Sequence, residues 1–222
     1  MYFRRHKQEP AMQKTEKLLK ILNGQPVIPV LLIENAKDAV PLAKALAAGG
    51  LPAIEITLRT KDALDAIKRV AGEVENCIVG AGTILDPKQY EKAVKAGSKF
   101  IVSPGCTKDL RKVADDSDIP LLPGAITPSE VMEMFAHGYS VLKFFPAEQA
   151  GGVSMLKAFS SPLSGAVFCP TGGITEKNAM DYLSLPNVVC VGGSWVAPKA
   201  AVDAGDWATV EKLAAAAAKI RG

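Results

Sequence analysis

The sequence predicts a single-domain α/β protein, a (β/α)8 or TIM-type barrel, on three observations. Eight short apolar runs rich in Val, Ile and Phe recur along the 222 residues, with starts 21–26 residues apart. Stretches with apolar residues at i, i+3 and i+4 lie between them, the helical period. No linker or break in composition divides the chain, and barrels of roughly 200–250 residues form single domains. A doubly wound sheet usually has fewer strands and a Gly-rich fingerprint after the first. Here the first strand runs into Ile33-Glu34-Asn35-Ala36-Lys37, with no glycine.

Residues 1–10 are left as an unassigned tail containing Arg4-Arg5-His6-Lys7, and the barrel domain is assigned to 11–222. An amphipathic helix over 12–22 is placed to cover the barrel's N-terminal mouth, the bottom. Strands then start near Val27 (VIPVLLI), Ala53 (AIEITL), Cys77 (CIVGAG), Lys99 (KFIVSP), Pro120 (PLLPGA), Val141 (VLKFFP), Ala166 (AVFCPTGG) and Val188 (VVCVGG). Helices over 61–71 and 87–96 fit the period. Asp86-Pro87 and Thr127-Pro128 read as an N-cap followed by Pro at the first helical position. Gly49, Gly97 and Gly138 stand where a helix C-terminus needs a left-handed residue. The segment 207–220 (WATVEKLAAAAAKI) is a strong helix former and supplies the last outer helix.

Composition narrows the function. Lys plus Arg number 26 against 23 Asp plus Glu, a net charge of +3 spread thinly, which predicts no nucleic-acid partner. No apolar run reaches the 18 or more residues of a membrane span, and no apolar stretch follows the basic N-terminus as in a signal peptide. Four scattered cysteines without a CxxC pair fit a reduced, cytoplasmic protein.

Strand parity then separates two faces. In the second strand Ile54, Ile56 and Leu58 share one face, so Glu55, Thr57 and Arg59 share the other and point into the barrel. In the sixth, Lys143 stands between Leu142 and Phe144 in mid-strand, and the interior is the only polar place for it, near Glu55 and Arg59. Burial and a neighbouring guanidinium disfavour the ammonium form. A partly neutral amine is what a Schiff-base nucleophile requires. A buried Lys143–Glu55 ion pair is the alternative reading, and Glu55 alone serves equally as base or as ion-pair partner. Arg59 suggests a carboxylate clamp.

Gly172-Gly173 and Gly193 with Ser194 follow the seventh and eighth strands, where barrel enzymes frequently bind phosphate through backbone N–H groups. Thr83 ends the third strand. Of two histidines, His137 reads as a cation at a helix C-terminus. No HxH, HExxH or Cys/His cluster has metal spacing, so no metal is expected. Cleaving a C–C bond beside a carbonyl needs an electron sink, and with one buried lysine the protonated imine is preferred.

The blocks Glu55-Ile56-Thr57-Leu58-Arg59-Thr60, Val79-Gly80-Ala81-Gly82-Thr83 and Val102-Ser103-Pro104-Gly105 carry a resemblance. So do Leu142-Lys143-Phe144-Phe145-Pro146-Ala147-Glu148, Phe168-Cys169-Pro170-Thr171-Gly172-Gly173-Ile174 and Gly192-Gly193-Ser194-Trp195. Over about 19–219 the chain resembles the bacterial 2-keto-3-deoxy-6-phosphogluconate (KDPG) and 2-keto-4-hydroxyglutarate (KHG) aldolases. The resemblance implies a class I lyase of the Entner-Doudoroff pathway with no cofactor beyond the Lys143 imine, cleaving KDPG to pyruvate and glyceraldehyde 3-phosphate. It also implies cleavage of 4-hydroxy-2-oxoglutarate to pyruvate and glyoxylate. Glu55 would be the general acid/base, and Arg59, Thr83 and the backbone near Pro104 would hold the pyruvyl carboxylate. Phe145 would wall the site and Thr171 orient the aldehyde. Gly172, Gly173, Gly193 and Ser194 would bind phosphate. The partners implied are a keto acid and a phosphorylated aldehyde, in a homotrimer. Some relatives carry an arginine near the end of the first strand, where this chain has Leu31-Leu32-Ile33.

Two other readings use the same features. A phosphosugar isomerase or synthase would use the barrel and phosphate loops without an imine. A non-catalytic phosphosugar-binding or scaffold trimer would bind ligand without turnover.

Overall fold

A computed structural model describes residues 8–220, with side chains from Thr15 onward. The Arg4-Arg5-His6-Lys7 cluster lies outside the described residues. The first helix, expected over 12–22, is α1 (Gln8–Leu22) and so begins inside the segment assigned to the tail.

Eight strands follow: β1 (Val27–Leu31), β2 (Ala53–Thr57), β3 (Ile78–Gly82), β4 (Ile101–Val102), β5 (Leu121–Leu122), β6 (Val141–Phe144), β7 (Val167–Pro170) and β8 (Val191–Gly193). Helices alternate with them: α2 (Ala39–Ala48), α3 (Ala63–Glu73), α4 (Pro87–Lys95), α5 (Lys108–Asp115), α6 (Pro128–Ala136), α7 (Gly152–Phe159) and α8 (Ala179–Leu183). After β8 comes a short α9 (Lys199–Ala204), which the sequence reading did not separate, and then the expected α10 (Trp207–Ala218).

The sheet is parallel and curled. Six strands run in the order β5-β4-β3-β2-β1-β8, and β6 pairs with β7 in a two-stranded sheet. Isolated bridges connect the two: Gly124 with Lys143 on one side, Phe168 with Val188 and Thr171 with Gly192 on the other.

Strand parity divides the core as expected. Ile54, Ile56, Leu142, Phe144 and Phe168 join the outer cluster beneath the helices. Ala53, Phe100, Val102, Leu122, Val141 and Cys169 form a second, inner cluster. Leu18 and Leu22 of α1 belong to that inner cluster, beside the first residues of β2 and β6. The helix thus covers the N-terminal strand ends with apolar side chains. Phe144 packs edge-on between Phe159 and Phe168, centroids 6.3 and 6.1 Å away, which fixes the strand that carries Lys143.

Local signals hold with one correction. Asp86 Oδ1 accepts the Gln89 N–H at 2.9 Å, and Thr127 with Glu130 makes a full capping box. Gly97 and Gly138 have φ of 104° and 83°. Gly49, however, has φ −75°, and Gly50 takes the left-handed position at φ 88°. Gly49 is small for another reason: a Cβ there would come within 2.6 Å of the Glu211 carbonyl as α10 crosses α2.

Candidate active site

The candidate site runs from mid-strand to the C-terminal ends of the strands. Lys143 and Glu55 are 5% and 3% exposed, and the Lys143 Nζ lies 3.2 and 3.5 Å from the two Glu55 carboxylate oxygens. β6 is gripped on both sides at this residue. The Lys143 N–H donates to the Pro123 carbonyl at 2.8 Å, its carbonyl accepts from Ala125 at 3.0 Å, and it pairs with Cys169 across β7. The lysine's backbone therefore has little freedom, and the side chain alone can move. Gly82 makes room for the carboxylate, because a Cβ there would run into the Glu55 side chain. A glycine inside a strand commonly marks such a close approach.

A buried ion pair of this kind is costly to desolvate, and it holds an amine and a carboxylate in direct contact away from water.

Other predicted residues gather around this pair at different depths. Phe145, partly exposed, lies with its ring centroid 5.4 Å from Lys143 Nζ and is joined to Pro146 by a cis peptide. Arg59 sits at the solvent-exposed mouth, and no ion pair joins it to Glu55 among the described residues. Its Nε donates to Thr57 Oγ1 at 3.1 Å, while the Thr57 hydroxyl donates to the Leu31 carbonyl at 2.8 Å. Thr57 thus orients the guanidinium, a role that its place between Glu55 and Arg59 on the inward face could have signalled. Thr83 follows directly after β3, half-buried, with φ 59°. The Pro104 carbonyl backs onto Gly124, where a Cβ would collide with it.

Thr171 is buried, and its hydroxyl has no hydrogen-bond partner among the described residues. Gly192 lies against that hydroxyl. Leaving a buried hydroxyl unpaired costs about 1–3 kcal/mol. Gly172 and Gly173 turn with φ 104° and 75° beside Pro146 and Glu148. Gly193 is backed by the Trp195 ring, and Ser194 opens with Arg59 into a cleft of about 430 Å³. That cleft also includes Leu32 and Lys199 but neither Lys143 nor Glu55, so it does not enclose the buried pair.

Other reactive groups lie elsewhere. Burial pushes the Cys77 thiol up to about 12, and burial, against the nearby Arg111, pushes Cys106 up to about 11. Thiols held so high are poor acid/base or nucleophilic groups at neutral pH. His137 lies at the end of α6, its Nε2 3.0 Å from Glu133. No group of three or more His, Cys, Asp or Glu side chains could hold a metal among the described residues. No helix among them is long and apolar enough to cross a membrane.

A curled parallel α/β sheet with a lysine–carboxylate pair buried in mid-strand defines a class: an enzyme equipped for chemistry at a carbonyl. Comparison with known proteins narrows that class. The family model for KDPG and KHG aldolase matches residues 18–213. The 2-dehydro-3-deoxy-phosphogluconate aldolase of Pseudomonas aeruginosa is 51% identical over 201 residues, covering 90% of this chain and 91% of that one. The KDPG aldolase of Legionella pneumophila, solved with pyruvate captured as a covalent carbinolamine intermediate, superposes with a TM-score of 0.88. It is 44% identical and the match covers 90% of this chain and 97% of that one. The Zymomonas mobilis enzyme, solved with 3-phosphoglycerate, has a TM-score of 0.88 at 45% identity, covering 93% and 97%. The chain belongs to the KDPG and KHG aldolase family. It is an aldolase, a lyase that makes and breaks a C–C bond through a Schiff base.

Proposed function

We propose that Lys143 is the imine-forming amine that cleaves KDPG to pyruvate and glyceraldehyde 3-phosphate, and 4-hydroxy-2-oxoglutarate to pyruvate and glyoxylate. The observation that carries this is the 3.2 Å contact between two almost fully buried groups, Lys143 Nζ and Glu55. Neutral Nζ attacks the C2 carbonyl, and Glu55 protonates the carbinolamine hydroxyl so that it leaves as water. Glu55, again a carboxylate, takes the C4 hydroxyl proton. The C3–C4 bond breaks, its electron pair enters the protonated imine, and the aldehyde departs. The remaining enamine is protonated at C3, and water returns pyruvate and the free lysine. The imine is the electron sink, so these steps require no metal.

Arg59 and Thr83, with the backbone at Pro104, are assigned to the pyruvyl carboxylate, and Phe145 to shielding Nζ from water. The unpaired Thr171 hydroxyl is assigned to the aldehyde portion, and Gly172, Gly173, Gly193 and Ser194 to the phosphate. The bridges of β6 to Gly124 and of β7 to Val188 and Gly192 support reading the two sheets as one closed eight-stranded barrel. A homotrimer in the cytoplasm completes the reading.

Borohydride reduction in the presence of pyruvate, followed by peptide mass mapping, tests the assignment. The expected result is a stable pyruvyl adduct on Lys143. A folded protein that forms no adduct, or forms it on another lysine, overturns it.

A further inference from the structure

The turn after β7 is braced by a side chain that takes no part in the imine chemistry. Glu148, in the loop after β6, accepts a hydrogen bond from the Tyr182 hydroxyl on α8. Its stem fills the underside of the turn: a Cβ at Gly173 would lie 2.5 Å from Glu148 Cγ and 2.7 Å from its Cβ. The backbone agrees. The Glu148 N–H donates to the Gly172 carbonyl at 3.2 Å, and the Ala147 N–H donates to the Thr171 carbonyl at 2.8 Å. Gly152, at φ 56°, closes over the pair, and a Cβ there would sit 3.0 Å from the Tyr182 hydroxyl oxygen. On the other side Asn178 Nδ2 donates to the Gly173 carbonyl at 3.2 Å, and its Oδ1 accepts the Thr175 N–H at 2.7 Å.

A carboxylate is a poor neighbour for a phosphate unless its charge is engaged elsewhere. Here the phenol engages it, and the apolar stem does the bracing. Burial, then the Glu148 carboxylate, pushes the Tyr182 hydroxyl well above its ordinary value, so it remains a donor at neutral pH.

We propose that Glu148 and Tyr182 are positioning residues that hold the Gly172-Gly173 turn in the shape that receives the acceptor's phosphate, and so set the preference for phosphorylated over unphosphorylated substrates. This rests on the reading above, in which that turn binds phosphate. No hydrogen bond or ion pair joins the two side chains to Lys143 among the described residues.

Steady-state kinetics on both substrates test it. Tyr182→Phe removes one hydroxyl. Its KM for KDPG should rise about tenfold with kcat within about twofold, while kcat/KM for 4-hydroxy-2-oxoglutarate stays within about twofold. Glu148→Gln keeps an acceptor for the phenol and should restore most of the KM. Glu148→Ala removes the bracing stem as well as the carboxylate and should lose at least as much as Tyr182→Phe, and the double variant should be no worse than Glu148→Ala, because the phenol's contact is already gone in it. Equal losses on the two substrates, or no loss on either, overturn the proposal. Competitive inhibition by inorganic phosphate separates the two readings. Wild-type protein that cleaves KDPG but is not inhibited refutes phosphate binding at the turn, and the positioning role with it. Inhibition that is equally strong in wild type and Tyr182→Phe refutes the positioning role alone.

Discussion

Thr83 is the non-glycine residue that adopts a positive φ, 59°, among those described. A β-branched side chain in the left-handed region costs of order 1–3 kcal/mol and persists only where its neighbours over-determine it. They do so here: Leu58 donates to the Gly82 carbonyl at 2.8 Å and Ile84 to the Val102 carbonyl at 3.1 Å, one on each side of Thr83. Strain at the rim of the site, on a residue with a hydroxyl, fits a group held ready for the substrate carboxylate. Thr83→Gly relieves the strain at some cost in unfolded-state entropy, so stability should rise by about 1 kcal/mol or less while the KM for pyruvate condensation rises several-fold. Urea unfolding and the condensation assay check the two signs, and a less stable variant would show that the backbone is unstrained. Lys143 and Glu55 were legible because a charge in mid-strand has only one place to go. The conformation of Thr83 was not, nor was the need for glycine at 82 and 192. Those depend on side chains supplied by strands 27 and 21 positions away, Glu55 and Thr171.

At the scale of the elements, what could be read was what neighbours in sequence determine. The capping pairs at Asp86 and Thr127 are of this kind, since donor and acceptor lie three residues apart. Gly49 does not take the expected left-handed position, and what keeps it small is its contact with Glu211 of α10, 162 residues further on and out of reach of local sequence. The lengths of β4 and β5, two residues each, were also out of reach, because apolar runs of ordinary length continue beyond the ladder that pairs them. The α6 cap gives a quantitative expectation. Burial pushes the Glu130 carboxyl up, but N–H bonds from Ile126 and Thr127 and the Thr127 hydroxyl outweigh it and leave it below the ordinary 4.5. A carboxyl lowered in the folded state stabilises above its unfolded value, and that stability is lost as pH falls through the folded value. Comparing wild type with Glu130→Ala by denaturant unfolding should therefore show a difference of about 0.5–1 kcal/mol at pH 7. The difference should shrink as pH drops below about 4.5. A difference independent of pH would mean that the carboxylate's charge plays no part in the cap.

At the scale of the molecule the two ends of the strands do different work. From mid-strand to the C-terminal ends lie the Lys143–Glu55 pair, the strained Thr83 and the unpaired Thr171 hydroxyl, all of which cost stability. The N-terminal ends hold the inner apolar cluster, sealed by Leu18 and Leu22 of α1, with the Gln25 amide bridging the Val27 and Ala53 carbonyls and the Ala53 N–H. Apolar burial at one end offsets polar burial at the other, and the two are separated along each strand by only a few residues, Ala53 from Glu55 and Val141 from Lys143. If that division holds, removing apolar volume at the covered end should weaken the fold without touching catalysis. Leu22 is fully buried, and Leu22→Ala should cost about 3 kcal/mol through lost burial and the cavity left behind. At roughly 2–4 °C per kcal/mol for a chain of this size, Tm falls by on the order of 10 °C. The kcat/KM for KDPG cleavage, measured well below that Tm, should match wild type. An unchanged Tm would place Leu22 outside the core. A lower kcat/KM in protein that is still fully folded would show that the cluster beneath β2 and β6 sets the Lys143–Glu55 distance, so that the two ends are coupled.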